Sequence, residues 1–237
     1  MSAGYALPPN QDAKSQIRLL QCWHRWRATE ASRQICTHNR PCRRCTHFAK
    51  RCSGRCEVGE RREGDRYVIV GHSMSGKVAQ LFASRRPRGL ESLVLVAPSP
   101  MQFSDEQRAG MAKIYDTRES IAWALDNVLT AKALSPALRE QVIVDSLGGA
   151  PQAKVARPLG GMIEDITADV SSIDVPVLVI AGERDQVDQP ATLQRELLPR
   201  IPHARMLVLP GTGHLSPLEN PSAVAASIRQ FMEQMRK

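Results

Sequence analysis

Four short apolar runs, rich in β-branched residues, punctuate the chain after residue 66: YVIV at 67–70, LVLVA at 93–97, VLVIA at 177–181 and MLVL at 206–209. Each run is continuous rather than alternating, the pattern of a strand buried on both faces, so together they predict a mostly parallel sheet. Helical spacing fills the gaps. Residues 77–85 carry Val78, Leu81 and Phe82 on one stripe, 191–198 repeat the pattern, and 222–235 close the chain with Val224, Ile228, Phe231 and Met232. Connections of this length suit right-handed βαβ units. Between the second and third runs lies a longer insertion, 99–172, with helices expected over 105–115, 119–129 and 136–146 and a polar, Gly- and Pro-bearing stretch over 148–161. An insertion that sits over the carboxyl ends of strands forms a lid or a pocket wall.

Composition divides the chain into two parts. Residues 1–66 hold 14 of the 32 Lys and Arg but only 6 of the 24 Asp and Glu, a net +8, whereas the remainder is balanced. All six cysteines (Cys22, Cys36, Cys42, Cys45, Cys52, Cys56) lie there too, with few apolar residues. Too little burial is available to offset ordering entropy, so 1–66 are expected to be largely irregular. No run approaches the roughly 20 apolar residues that span a bilayer, and no secretory stretch opens the chain, so a cytoplasmic protein with reduced thiols and no membrane partner is expected.

Three motifs carry chemistry, each just beyond the C-terminal end of an expected strand. Gly71-His72-Ser73-Met74-Ser75-Gly76 follows YVIV and precedes a helix, the context of a nucleophile elbow, in which a serine sits on a strained turn flanked by small residues. Gly182-Glu183-Arg184-Asp185 follows VLVIA and places a carboxylate where it can accept a hydrogen bond from a histidine Nδ1–H; Asp188 competes for that role. Pro210-Gly211-Thr212-Gly213-His214 follows MLVL and presents an imidazole able to take a proton from Ser73. His72 and His203 carry no comparable signal.

With Ser, Asp and His in this order, the chain resembles the α/β-hydrolase superfamily, in particular its small esterase, enol-lactonase and haloperoxidase-like members. The matching text is VGHSMSGKVAQ (70–80), LVLVAPSP (93–100), DVPVLVIAGERD (174–185) and LPGTGHLSPLENP (209–221), within about 65–235. The resemblance implies a catalytic triad of Ser73, His214 and Asp185, an oxyanion donor in the backbone N–H of Met74, and a small-molecule ester or lactone as substrate. It implies no metal and no organic cofactor. Met101, Phe103, Trp123 and Leu125 of the insertion suggest an apolar substrate, or equally form part of the core.

The same resemblance exposes a departure. Family members carry a strand ending in a His-Gly turn that supplies a second oxyanion donor beside the nucleophile, and no His-Gly dipeptide occurs in this sequence. The expectation is therefore a truncated α/β-hydrolase fold over 67–237, with an unpaired edge at 67–70 unless residues 1–66 cover it, and activity impaired by the missing donor. Enrichment in Arg, Cys, Trp and His that stops abruptly at the first strand is what a GC-rich coding sequence gives when read out of frame, so 1–66 are read as frameshift-derived. Two alternatives are weaker. Cys42, Cys45, Cys52 and Cys56, with His38 and His47 nearby, could ligate zinc, but six residues between the pairs and little apolar packing fit a zinc module poorly. A basic arm could bind nucleic acid through phosphate charge.

Overall fold

The computed structural model describes residues 15–20, 66–114, 117–148 and 160–235. The candidate zinc ligands and most of the basic segment lie outside these residues. Five parallel strands form one sheet in the order β1 (Ser15–Leu20), β2 (Arg66–Ser73), β3 (Leu90–Pro98), β4 (Val177–Gly182) and β5 (Ala204–Leu209).

The continuous apolar runs are explained by burial on both faces of the pleat. On one face Ile69, Leu93, Leu95, Val177 and Val179 pack against α1 (Met74–Ser84), through Ala79 and Ala83. The same cluster takes in Leu193 and Leu197 from a helical segment that opens with α6 (Pro190–Thr192) and tightens through Leu198–Arg200. Alternate residues Val68, Val70, Val94, Val96, Leu178 and Ile180 meet Val224 and Phe231 of α8 (Pro221–Gln234) on the other face. Each fully buried aliphatic side chain contributes roughly 1.5–3 kcal/mol relative to exposure, so this double-sided core fixes the sheet register. The MLVL run differs from expectation. β5 is the last strand of the sheet, and Leu207 and Val208 are exposed rather than buried on both faces.

A second difference concerns the first strand. Within the segment expected to be largely irregular, residues 15–20 form a strand that pairs in parallel with β2, so residues 1–66 do cover the edge at 67–70. The signal was the alternation of Ile17 and Leu19 with Gln16 and Arg18, a period-two pattern too short to stand out in so polar a segment. Leu20 pairs with Gly71, so β1 ends at the level of the nucleophile turn.

The insertion carries α2 (Asp105–Ile114), α3 (Arg118–Ala124, extended by a π-helical turn over Leu125–Leu129), α4 (Pro136–Leu147) and the short α5 (Thr167–Val170). Thr117 starts α3 with a capping box completed by Ser120, and Ser135 with Pro136 starts α4. Ile121, Leu125, Leu129, Val142 and Ile143 form a separate apolar cluster that reaches Leu215, directly after the candidate histidine. The insertion is therefore packed on the His214 loop. Exposed ion pairs from Arg139 to Asp126 and from Arg118 to Glu140 join α3 to α4, each worth little on its own.

Candidate active site

β2 ends on Ser73 and α1 begins on Met74, so the chain turns from strand to helix at one residue. Ser73 takes φ 53° and ψ −123°, a conformation that costs a non-glycine residue of order 1–3 kcal/mol and persists only where its surroundings enforce it. Enforcement comes from close packing of α1 on β3: a Cβ added to Gly76 would lie 2.8 Å from the Cβ of Pro98. The glycine needed for that approach is Gly76. Ser75, in the place of the motif's last glycine, is buried without such a conflict. Met74 opens the helix, so its backbone N–H is among those with no intrahelical acceptor and faces the end of the helix where negative charge is favoured.

Asp185 and His214 arrive on loops that zip together. Arg184 N donates to Thr212 O at 2.9 Å and Glu183 N to Leu209 O at 3.0 Å, while Gly211 N donates to the Glu183 carboxylate at 2.7 Å. A side chain on Gly182 would meet Gly213 O at 2.4 Å, so glycine is required where the two loops cross. This places His214 Nδ1 3.0 Å from Asp185 Oδ2 and His214 Nε2 3.0 Å from Ser73 Oγ. A carboxylate accepts from Nδ1–H, which leaves Nε2 as the acceptor for the Ser73 hydroxyl. The other oxygen of Asp185 accepts from Val187 N at 2.8 Å and Asp188 N at 3.0 Å, which locks the carboxylate's orientation. Asp188 Oδ2 stands farther off, 3.7 Å from His214 Nδ1. Ser73, Asp185 and His214 are thus brought together, and of the two aspartates Asp185 makes the hydrogen bond.

Several neighbours were not singled out by sequence. His72 donates from Nε2 to the backbone carbonyl of His214 at 2.9 Å, with the two rings 5.2 Å apart. Burial, and then the adjacent His214, lower its pKa to about 4, so it is a neutral donor at ordinary pH. Ser99 Oγ lies 3.5 Å from Ser73 Oγ, and Ser99 N donates to Ser73 O at 3.0 Å. Lys77, one turn beyond the elbow, is buried, donates to the carbonyl of Glu164 and lies 5.1 Å from the centre of the Phe103 ring. Burial lowers its pKa to about 8, opposed by Glu164 and Asp165. The only sequence signal at these positions is their place within or beside the motifs.

A cavity of about 650 Å³ has Phe103, Met111, Trp123, Val128, Val187 and Asp188 in its wall, and of these Asp188 stands 3.7 Å from His214 Nδ1. Phe103 and Trp123 therefore line it as expected. Met101 and Leu125 do not, since they are spent in the sheet core and the insertion core respectively. Among the described residues no group of three or more His, Cys, Asp or Glu could hold a metal ion, and no helix is long and apolar enough to cross a membrane.

A model of the alpha/beta hydrolase family matches residues 22–227, a span that begins inside the segment set apart by composition. The polyketide synthase ThaQ of Burkholderia thailandensis is 28% identical over 184 residues, which are 70% of this chain and 8% of that protein. A 2-succinyl-6-hydroxy-2,4-cyclohexadiene-1-carboxylate synthase of Enterobacter sp. is 27% identical over 184 residues, 70% of this chain and 67% of that one. Among solved structures, a malate-bound thermophilic esterase from Thermogutta terrifontis superposes with a TM-score of 0.63 at 25% identity, covering 73% of this chain and 66% of that one. The chain thus spans a small fraction of the first relative and about two-thirds of the other two.

Proposed function

We propose, proceeding from the fact that the chain belongs to the alpha/beta hydrolase family, that it hydrolyses small carboxylic esters or lactones with Ser73 as nucleophile. The observation that carries this reading is the unbroken relay from Asp185 through His214 to Ser73, two contacts of 3.0 Å each, with the serine on a strained turn. His214 Nε2 takes the hydroxyl proton as Ser73 Oγ attacks the carbonyl carbon, and Asp185 stabilises the imidazolium. In this reading the N–H of Met74, at the start of α1, donates to the oxyanion. His214 then returns its proton to the departing alkoxide; a water activated by the same imidazole attacks the acyl-enzyme, and Ser73 is released. The chemistry needs only water. The mostly apolar cavity walls favour an uncharged, apolar substrate over a charged one.

Impaired turnover is a second reading, favoured by one observation, the absence of any His-Gly dipeptide to supply the usual second donor. Loss of one such donor costs on the order of 100- to 1000-fold in kcat. Turnover of p-nitrophenyl acetate and p-nitrophenyl butyrate by the full chain, beside Ser73→Ala, tests both. Steady turnover lost by at least about 1000-fold in Ser73→Ala supports the proposal. Ser73-dependent turnover that is slow from the first cycle onward, with no burst of p-nitrophenol, supports the impaired form, because the missing donor weakens the intermediates of acylation and deacylation alike. Equal rates for both proteins contradict the serine mechanism.

A further inference from the structure

The candidate histidine is held by more than the groups that touch its ring. Glu219 lies five residues after His214, at the end of the short helix α7 (Ser216–Glu219). Its Oε1 accepts from Ala131 N at 2.6 Å and Lys132 N at 3.0 Å, and its Oε2 accepts from Gly213 N at 2.8 Å. Ala131 and Lys132 belong to the insertion, just past the turn that ends α3. Gly213 is the residue before His214. One half-buried carboxylate therefore ties the backbone of the insertion to the backbone of the histidine loop, and the two chains are too close for a side chain: a Cβ on Gly213 would lie 2.7 Å from Ala131 N. Next to it Leu215 N donates to Leu129 O at 2.9 Å. Glu219 is not among the residues that line the cavity.

We propose that Glu219 is a positioning residue for the reaction, its carboxylate clamping the His214 loop to the insertion so that Nε2 stays within reach of Ser73. The proposal rests on the serine-hydrolase reading. Three N–H donors converge on this group, and a carboxylate, whose two oxygens both accept, satisfies all three. Glutamine has the same shape but must turn its NH2 toward at least one of those N–H groups. With the two amides of the insertion served by its single oxygen, the group turned toward Gly213 N–H would be a donor. The loop would then lose its tie one residue from His214. A shift of about 1 Å at a reacting group costs as much as 100-fold in rate, even when its cause lies outside the reacting atoms.

The test compares wild type, Glu219→Gln and Glu219→Asp as full chains, by ester kinetics and by the downfield proton resonance of the His214 Nδ1–H, identified by its loss in His214→Ala. For Glu219→Gln the expectation is a kcat lowered on the order of 10- to 100-fold at a KM within about twofold, together with loss or broadening of the resonance. A resonance unchanged from wild type, or an effect confined to KM, overturns the proposal. If Glu219→Gln does not fold, Glu219→Asp takes its place. One methylene shorter, it cannot bridge both backbones, and wild-type kcat in that variant likewise overturns the proposal. Should the wild type lack Ser73-dependent turnover, the function reading fails, but the resonance still decides the role of Glu219, because it reports the His214–Asp185 contact without chemistry.

Discussion

Two aspartates within reach of one imidazole invite a residue-level test. Asp185 makes the 3.0 Å contact and is itself oriented by two backbone amides, while Asp188 stands 3.7 Å away. Asp185→Asn should lower kcat by about 1000- to 10,000-fold, because the amide stabilises the wrong tautomer, whereas Asp188→Asn should cost less than about tenfold in the same assay. Reversal of that order would move the acid to Asp188. His72 makes a second prediction, on stability. Its pKa is about 4 in the native protein against 6.5 for an unperturbed histidine. As pH falls from 6.5 towards 4 the unfolded chain takes up a proton that the native state refuses, so the His72 contribution is fully present above 6.5 and is lost across that window. Urea unfolding at pH 7 and pH 4.5 should show a loss of up to about 3 kcal/mol from this group, and the loss should shrink by that amount in His72→Gln. Equal pH dependence in both proteins would show that His72 is protonated in the native state.

At the scale of elements, legibility follows burial. The strands β2, β3 and β4 were plain in the sequence because both their faces are covered, which forces continuous apolar runs. β5 carries a similar run but lies at the end of the sheet, so MLVL was misread as doubly buried. α1 begins at Met74, earlier than the periodicity from Lys77 suggests, because its first turn packs through Gly76 on Pro98 rather than through a long apolar stripe. Ser73, Asp185 and His214 were legible because each follows a strand. The roles of His72 and Glu219 were not, since both act on backbone groups remote in sequence or brought close only by the fold: His72 on the carbonyl of His214, Glu219 on the amides of Ala131, Lys132 and Gly213. The elbow makes the prediction at this scale. Gly76→Ala should lower stability by about 1–3 kcal/mol in urea unfolding at unchanged m-value, since the new methyl overlaps Pro98. Ser75→Gly should change it by less than about 1 kcal/mol. A neutral Gly76→Ala would show that α1 is free to shift off β3.

Across the whole molecule, a two-sided sheet core carries three loops at one end, and the insertion is packed onto the loop that bears His214. The relay is thus supported from the sheet below and from the insertion above, and this fits a strained serine being kept in place. β1 completes the support on the nucleophile's flank, the edge that was expected to stay unpaired unless residues 1–66 cover it. The most direct measurement is reaction of the full chain with a fluorophosphonate, followed by peptide mass spectrometry. A stoichiometric adduct on Ser73, absent in Ser73→Ala and formed at least about 100-fold more slowly in His214→Ala, is the predicted result. No adduct, or one on Ser75 or Ser99 with Ser73 unmodified, would contradict it.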